Sequence, residues 1–137
     1  MNIETFLLCD AATDQFGKLN ILGAFDAIYT KEMPMKYPAC AIAVRIRFEK
    51  IEEGEHKIKI CMIDADGNPA GPNFQGGLKV KLPEGVESNS TNFILNVHGL
   101  ELKAFGKYRI DLAVDGQLQA SLPFAVRQTP TRPQPKT

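Results

Sequence analysis

The stretch "GKYRIDLAVDGQLQASLPFAV", residues 106–126, alternates between apolar and polar side chains on both sides of an Asp-Gly pair. Alternation with a period of two is typical of β-strands that bury one face. An Asp-Gly pair between two such runs is a common turn signal. The stretch therefore predicts a β-hairpin with strands at residues 106–114 and 117–126.

The two apolar rows also constrain the length of the hairpin loop. Residues paired across antiparallel strands share a face, so a two-residue turn would place Val114 opposite the polar Gln117. A three-residue loop that begins at Val114 and ends at a left-handed Gly116 instead pairs Leu112 with Leu118. We therefore expect the three-residue loop.

The same alternation recurs along most of the chain, interrupted by turn-rich segments such as "DADGNPAGPN" at residues 64–73. Apolar residues at helical spacing are nearly absent. The predicted strands are residues 3–9, 19–29, 39–49, 56–65, 76–82, 92–98, 106–114 and 117–126. Strands at this spacing predict an all-β fold, an antiparallel β-sandwich of about seven or eight strands.

The chain has 137 residues, a length typical of one domain. The last predicted strand ends at residue 126, so we expect residues 1–126 to form a single β-sandwich domain. Residues 127–137, "RQTPTRPQPKT", contain three prolines and no large apolar residue. Such a segment has too little apolar surface to fold by itself. We expect it to be a Pro-rich extended C-terminal tail.

The charged residues are balanced, with 16 basic and 16 acidic side chains. A neutral molecule has no overall field that attracts nucleic acid or an anionic membrane. No apolar run approaches the length of about 18 residues that is typical of a membrane-spanning helix, and no basic segment precedes the first apolar stretch. We expect no nucleic-acid partner, no membrane association and a cytoplasmic location.

The three cysteines, Cys9, Cys40 and Cys61, are widely spaced and each lies in an apolar run. A disulfide framework or a zinc site would show paired, closely spaced cysteines. Cys61 lies on the polar row of its strand, so we expect it to be less deeply buried than the others. The pattern predicts reduced thiols that are part of a hydrophobic core.

The stretch "LLCDAATDQFGKLNILGAFD", residues 7–26, predicts a strand, a polar turn and a second strand interrupted by a bulge at Gly23. Its acids Asp10, Asp14 and Asp26 are candidates for a carboxylate cluster that binds a metal or moves protons. Turns are the commoner explanation, because aspartate side chains cap nearby backbone N–H groups. We expect no catalytic residue, no metal site and no cofactor.

The same region carries a resemblance to a known family. "LLCDAATDQFGKLNILGAFDAIY" resembles the opening of a family of small uncharacterised bacterial proteins of unknown function, and "YPACAIAVRIRFE", "EGEH", "DADG" and "GKYRIDLAVDG" follow in that family's order. The resemblance covers about residues 6–126. It implies a single immunoglobulin-like sandwich domain and no particular activity.

One basic pattern is a candidate site. Arg45 and Arg47, and Lys57 and Lys59, occupy the non-core faces of two predicted strands. If residues 39–49 pair with the following strand, these four side chains form one face that binds an anion or a protein partner. Like charges opposite each other are destabilising, which favours a partner or internal acids that relieve them. The alternative is that basic residues simply keep strand faces soluble.

The sequence favours a non-enzymatic binding or protein-interaction module, because it shows strands, edges and a basic face but no arranged acid, base and nucleophile. Its partner would be an unknown protein or a small anionic ligand, and a homo-oligomer through edge strands is a further alternative. A small enzyme or accessory subunit that uses the loop acids Asp10 and Asp26 with His98 is the competing hypothesis.

Overall fold

The computed structural model describes residues 1–130 and contains nine β-strands and one 3₁₀ turn in that range. In chain order the strands are β1 (Asn2–Gln15), β2 (Lys18–Phe25), β3 (Ala27–Thr30), β4 (Met35–Glu49), β5 (Gly54–Asp64), β6 (Pro69–Val80), β7 (Ser88–Leu102), β8 (Gly106–Val114) and β9 (Gln117–Gln128). The 3₁₀ turn, Lys50–Glu52, joins β4 to β5. Within the described range no helix has the length and apolar character that crossing a membrane requires.

The strands form two sheets that pack face to face. The first sheet has the order β2-β1-β4-β7 and the second has the order β3-β9-β8-β5-β6. Neighbouring strands are antiparallel, except that β3 and β9 are parallel. The predicted all-β sandwich is confirmed, with nine strands in place of about seven or eight and with one parallel pair.

The apolar row of β4 lies at the centre of the core, as its alternation predicts. Its buried members are Cys40, Ile42, Val44, Ile46 and Phe48. Ile58, Ile60 and Met62 of β5 belong to the same core cluster. Burying one such side chain stabilises the fold by about 1.5–3 kcal/mol. The two rows, one from each sheet, therefore hold the sheets together. The intervening residues of each strand lie on the outer faces of the sandwich.

The start of β8 shows a feature of immunoglobulin-like sandwiches. The buried Tyr108 donates its hydroxyl to the carbonyl oxygen of Ala104 at 2.5 Å. This backward bond to a residue a few positions upstream is the tyrosine corner of such domains. The β4–β7 and β5–β8–β9 pairings also match the B–E and C–F–G pairings of that fold. The fold is an immunoglobulin-like β-sandwich.

The predicted loop of the β8–β9 hairpin is wrong. The turn has two residues, Asp115 (φ 52°) and Gly116 (φ 80°), and Val114 pairs with Gln117. The conflict between the rows is resolved by a register shift after Leu112, which leaves Leu118 exposed at 63%. A bulge of this kind inserts one residue into one strand and restores the apolar pairing beyond it. The left-handed Gly116 is confirmed.

We expect Gly116→Val to lower the free energy of unfolding by about 1 kcal/mol or more, because a β-branched side chain resists a positive φ. Gly77→Val is the matched control. Gly77 lies in β6, its φ is not positive, and a Cβ atom there would meet nothing within 4 Å. Urea denaturation followed by circular dichroism measures both. Equal effects of the two substitutions would contradict the left-handed turn as the cause.

The predicted strand at residues 19–29 is in fact two strands. β2 lies in the first sheet, whereas β3 lies in the second sheet and runs parallel to β9. Asp26 is the point of the switch, and its carbonyl oxygen accepts a hydrogen bond from the backbone of Ala125 at 3.0 Å. Alternation alone could not show this, because the apolar residues Leu19, Ile21, Phe25 and Ala27 continue in one phase across Asp26 in the sequence.

The C-terminal boundary also lies later than predicted. Tyr29 pairs with Arg127, Thr30 pairs with Gln128, and Thr129 N–H donates to the carbonyl oxygen of Thr30 at 2.9 Å. The last strand therefore includes two residues that were assigned to the tail beginning at residue 127. The predicted extended tail otherwise falls mainly on residues 131–137, which lie outside the described residues.

The β1–β2 hairpin extends beyond the first sheet and folds back over its outer face. The pairing of β1 with β4 ends at Cys9, and we call residues 10–23 the hairpin arm. Ala12 and Leu19 of the arm pack against a second small core formed by Cys9, Ala41 and Ala43. The first sheet is therefore covered on both faces here.

The bend of the hairpin arm lies at Gly23, which has a φ of 68°. The predicted bulge at this position is wrong, because the β1–β2 register is the same on both sides of it. A Cβ atom on Gly23 would lie 2.4 Å from Asp10 Oδ2. Glycine thus supplies both the left-handed backbone and the space that the bend requires.

Candidate functional site

The predicted basic face does not form as a single surface. β4 belongs to the first sheet and β5 to the second, so the pairing that would join Arg45 and Arg47 to Lys57 and Lys59 is wrong. The 3₁₀ turn between the strands carries the chain from one sheet to the other. The arginines lie on the outer face of the first sheet and the lysines on the outer face of the second, at opposite sides of the sandwich.

The arginines are held by contacts within the fold. Arg45 Nε donates to Glu4 Oε1 at 3.2 Å, and its Nη1 donates to Asn92 Oδ1 at 2.8 Å and to the carbonyl oxygen of Gly17 at 3.1 Å. Arg47 Nε donates to Glu4 Oε2 at 2.9 Å. Glu4 therefore supplies the internal acid that relieves the paired positive charges. Anion binding by these arginines stays a prediction.

Glu4 is the acid that organises this cluster. Hydrogen bonds from the Ser90 hydroxyl and then from Arg47 hold the pKa of Glu4 below its usual value. A second donor of Arg47, its Nη1, reaches Ser88 Oγ at 3.0 Å. These contacts lie on the outer face of the first sheet and join β1, β4 and β7 through side chains.

The same network anchors the tip of the hairpin arm. Asn92 Nδ2 donates to Asp14 Oδ2 at 2.8 Å and to the carbonyl oxygen of Gly17 at 3.1 Å. Asp14 Oδ1 accepts the backbone N–H of Gly17 at 3.0 Å. Asp14 thus caps the turn and ties it to β7, which is the structural role expected of a turn aspartate. No group of three or more potential metal-binding side chains gathers among residues 1–130.

The tip of the arm exposes an aromatic side chain. Phe16 has a φ of 53°, Gly17 has a φ of 78°, and the Phe16 side chain is 96% exposed. Two successive positive φ angles in a two-residue hairpin turn favour Asn-Gly or Asp-Gly, and a bulky residue there is an outlier. Leu22, on the adjoining edge strand β2, is 70% exposed. Phe16, at the tip, and Leu22, further along the arm, are thus two exposed apolar side chains of the arm.

The cysteines are free thiols, as predicted. Cys9 is buried beneath the arm and Cys40 is buried between the sheets, whereas Cys61 is half-buried. Burial raises the pKa of the Cys9 thiol and raises the pKa of Cys40 to about 11. Both thiols are therefore protonated at neutral pH and are poor nucleophiles.

His56 connects two turns of the chain through hydrogen bonds to Glu52 and Asp115, and we call this arrangement the His56 bridge. His56 Nε2 lies 2.6 Å from the carbonyl oxygen of Glu52, and its Nδ1 lies 2.7 Å from Asp115 Oδ2. Both partners are acceptors, so the two bonds together require the protonated imidazolium. The hydrogen bond to Glu52 and then that to Asp115 raise the pKa of His56. The backbone N–H of Lys57 and then His56 lower the pKa of Asp115.

The His56 bridge predicts a pH-dependent stability. Its pKa is raised above 6.5, so its contribution is full below that value and is lost as the pH rises through the folded-state pKa. The pKa of Asp115 is lowered from 3.8, so its contribution is lost only as the pH falls through the folded-state value. We expect His56→Gln to destabilise the protein more at about pH 5.5 than at about pH 8.5.

Free energies of unfolding of the wild type and of His56→Gln at the two pH values test this bridge. Asp115→Asn tolerates the positive φ and removes the carboxylate, so it should weaken the same pH dependence. A larger effect of His56→Gln at the higher pH would show that the neutral imidazole, and not the cation, holds the bridge.

A groove of about 810 Å³ runs along the open side of the sandwich, between the edge strands β6 and β7. Leu95, Leu100 and Tyr108 contribute to its apolar lining, and His98 also lines it. Asp10 and Asp26 are not among its lining residues. The loop acids and the histidine of the enzymatic alternative are therefore not brought together in this groove.

Sequence reasoning missed the fold-back of the hairpin arm and the role of Phe16. One signal was present: Ala41 and Ala43 occupy the outer row of β4 beside two arginines, where a solvated strand would carry polar residues. Small apolar residues on an outer face indicate a close covering element. A second signal was a phenylalanine directly before the turn glycine in "TDQFGKL".

Comparison with known proteins gives a family but no activity. A family model described as "Family of unknown function (DUF6941)" matches residues 4–127. No curated protein matches the chain. Among solved structures, a β-glucosidase from Listeria innocua in complex with gluconolactone is similar at 12% identity and a TM-score of 0.48. That match covers 90% of this chain and 16% of the β-glucosidase chain.

Proposed function

Since the chain belongs to a family of unknown function, DUF6941, we propose that it is a non-enzymatic protein-interaction module that contacts its partner through the hairpin arm. The observation that carries the proposal is Phe16, a bulky aromatic residue with a positive φ and a 96% exposed side chain. Strained and exposed residues of this kind are typical of functional contact points.

The energetic cost of the left-handed backbone at Phe16 is not offset by contacts within the isolated chain. A left-handed backbone costs an L-residue other than glycine roughly 1–2 kcal/mol, and Asn at the same position would cost less. The exposed ring buries almost no apolar area that would offset this cost. Buried in a partner's pocket, the same ring would bury a large apolar area, and aromatic anchors are frequent hot spots of protein interfaces.

The edge strand β2 is a second feature that favours the hairpin arm as the contact surface. It has one neighbour in its sheet, β1, and carries no charged residue between Lys18 and Asp26. Edge strands that stay free of partners are usually protected by charges or proline. An unprotected edge with exposed Leu22 suits addition of a strand from another protein or from a second copy of the chain.

We further place the protein in the cytoplasm of a bacterial cell. Three free thiols, two of them buried, are typical of a reducing compartment. The bacterial origin follows the resemblance described above, and it is part of the proposal.

Photo-crosslinking at position 16 tests the contact. Benzoyl-phenylalanine in place of Phe16 preserves an aromatic side chain and should form an adduct with one protein in the source cells, whereas the same residue in place of Phe105 should not. The protein identified in this way is then purified, and its affinity for the wild type and for Phe16→Asn is measured. We expect Phe16→Asn to bind about tenfold or more weakly, a loss of about 1.4 kcal/mol in binding free energy. Equal affinity for both would refute the arm as the contact surface.

A further inference from the structure

The edge strand β7 has a long side that no other strand covers. β7 has 15 residues and pairs with β4 on one side, and no strand within residues 1–130 pairs with its other side. Residues 88–100 contain no charged side chain and no proline. Edge strands of stable monomers are usually short, or are blocked by charges or proline. β7 therefore presents a row of backbone N–H and C=O groups without that protection.

The remaining edge strands among residues 1–130 are shorter or better protected. β6 contains Pro69, Pro72 and Lys79, and β3 has four residues. β2, at the opposite edge of the first sheet, is uncharged only between Lys18 and Asp26. β7 thus carries the longest uncharged, proline-free edge of the described chain.

Two apolar side chains of β7 face the core without being fully covered. Phe93 and Leu95 pair with Val44 and Ile42 of β4, so they lie on the core face of the first sheet. Val44 and Ile42 are buried, whereas Phe93 and Leu95 are half-buried. β4 has a strand on each side, and β7 has one neighbour. A strand beyond β7 would therefore cover Phe93 and Leu95 and add buried apolar area.

The space beside the free side of β7 is open. The groove of about 810 Å³ is lined on its β7 side by residues 95–101 and on its β6 side by residues 69–74. Inward-pointing side chains of an added strand would enter this groove, while its backbone would continue the ladder of the first sheet. The backbone edge and the space next to it both suit strand addition.

A second copy of the chain is the occupant that these features favour. The chain has 16 basic and 16 acidic residues, so two copies have no net charge by which to repel each other. Antiparallel pairing of two β7 strands about a two-fold axis at Phe93 aligns their uncharged runs. In this register Glu87 lies opposite Gly99 of the second copy, so that Glu87 and Glu101 do not face each other. One contact then covers the same edge on both copies.

The C-terminal segment of the same chain does not suit this position. A strand added to β7 must donate backbone N–H groups from alternate residues. Pro130 and Pro133 are an odd number of residues apart, so in an extended strand one of them would face β7 without an N–H to donate.

We propose that the chain forms a two-fold symmetric dimer in which the β7 strands of two copies pair antiparallel and join the two four-stranded sheets into one. The backbone ladder fixes the alignment, and the two Phe93 rings, which meet at the axis, supply an apolar contact at its centre. This interface uses β7 and goes beyond the contact proposed for the hairpin arm. Failure of one proposal therefore leaves the other standing.

Sedimentation equilibrium of a dilution series tests the dimer. We expect the mass to rise from that of the monomer to that of the dimer as the concentration rises. Asn96→Lys places a charge on the exposed β7 edge, opposite Ser90 of the second copy and next to its Arg47, and should weaken the dimer about tenfold or more. Asn20→Lys is the matched control, because it makes the same change at an exposed position of β2, and should dimerise as the wild type does.

Amide hydrogen exchange of the wild type locates the interface. Alternate N–H groups of residues 88–98, those that point away from β4, should exchange more slowly at high protein concentration than in dilute solution. Exchange of the β2 amides should not depend on concentration. Thermal unfolding of both variants confirms that the fold is retained, since Asn20 and Asn96 are exposed.

Several results would overturn the proposal. A monomeric mass at every concentration would leave the β7 edge to a strand of another protein. Equal weakening by Asn96→Lys and Asn20→Lys, or weakening by Asn20→Lys alone, would show that the dimer does not depend specifically on β7. Exchange of the β7 amides that does not change with concentration would show that the dimer leaves this edge uncovered.

Discussion

Replacing Phe48 with alanine is expected to lower the free energy of unfolding by about 3–5 kcal/mol, among the largest effects of any single substitution in this protein. The Phe48 ring is 0% exposed and lies in the core row of β4. It also stacks on the His56 ring, with 4.8 Å between the ring centroids. Its loss leaves a cavity between the sheets and removes a support of the His56 bridge.

Phe93→Ala is the matched control for this prediction. Phe93 lies on β7 and is half-buried, with its ring 5.2 Å from that of Phe74. It should cost clearly less than Phe48→Ala, because less apolar area is lost and less cavity is left. The chain contains no tryptophan, so circular dichroism in a urea series is the suitable measurement. A smaller loss for Phe48→Ala than for Phe93→Ala would place the centre of the core elsewhere.

Ala43→Leu is expected to destabilise the protein by about 1–3 kcal/mol, because it overpacks the space between the first sheet and the hairpin arm. Ala43 is 0% exposed and lies beneath Ala12 and Leu19 in the small outer core. Ala113→Leu is the control, since Ala113 lies on the outer face of the second sheet and is only half-buried. The control should change the free energy of unfolding by about 0.5 kcal/mol or less.

The labelling rate of the Cys9 thiol measures how often the hairpin arm opens, because this thiol is buried in the small core under the arm. In a Cys61→Ser background, Ala43→Leu should accelerate labelling of Cys9 by about tenfold or more, as expected if the arm opens more often. In both proteins Cys9 should label faster than Cys40, because opening of the arm alone exposes Cys9, whereas Cys40 is exposed only when the two sheets separate. Equal labelling rates at the two cysteines would show that the arm opens only when the whole sandwich unfolds, and would contradict local opening of the arm.

Alternation predicted the features that depend on one strand at a time. It identified the core rows of β4 and β8, the burial of Cys9 and Cys40, and the sandwich class. It failed where two strands had to be aligned. The β8–β9 register follows a bulge beside Leu118 that absorbs the mismatch, and a bulge leaves no clear trace in a hydrophobic pattern.

The prediction that the four basic side chains share one face was wrong for a related reason. Arg45 and Lys59 lie on neighbouring strands in sequence, but sequence neighbours in a sandwich often belong to different sheets. The acid that pairs with both arginines, Glu4, comes from a strand about forty residues earlier, and only the long-range pairing of β1 with β4 brings it there. Such contacts depend on topology, which local periodicity does not encode.

The most direct test of the proposed contact surface is the free energy of unfolding of Phe16→Asn, measured against the wild type in a urea series. If Phe16 is retained for a partner and not for the fold, Asn at this left-handed, exposed position should raise the free energy of unfolding by about 0.5–1 kcal/mol. A loss of about 1 kcal/mol or more would show that the Phe16 ring stabilises the isolated chain, and would contradict its role as an interaction anchor.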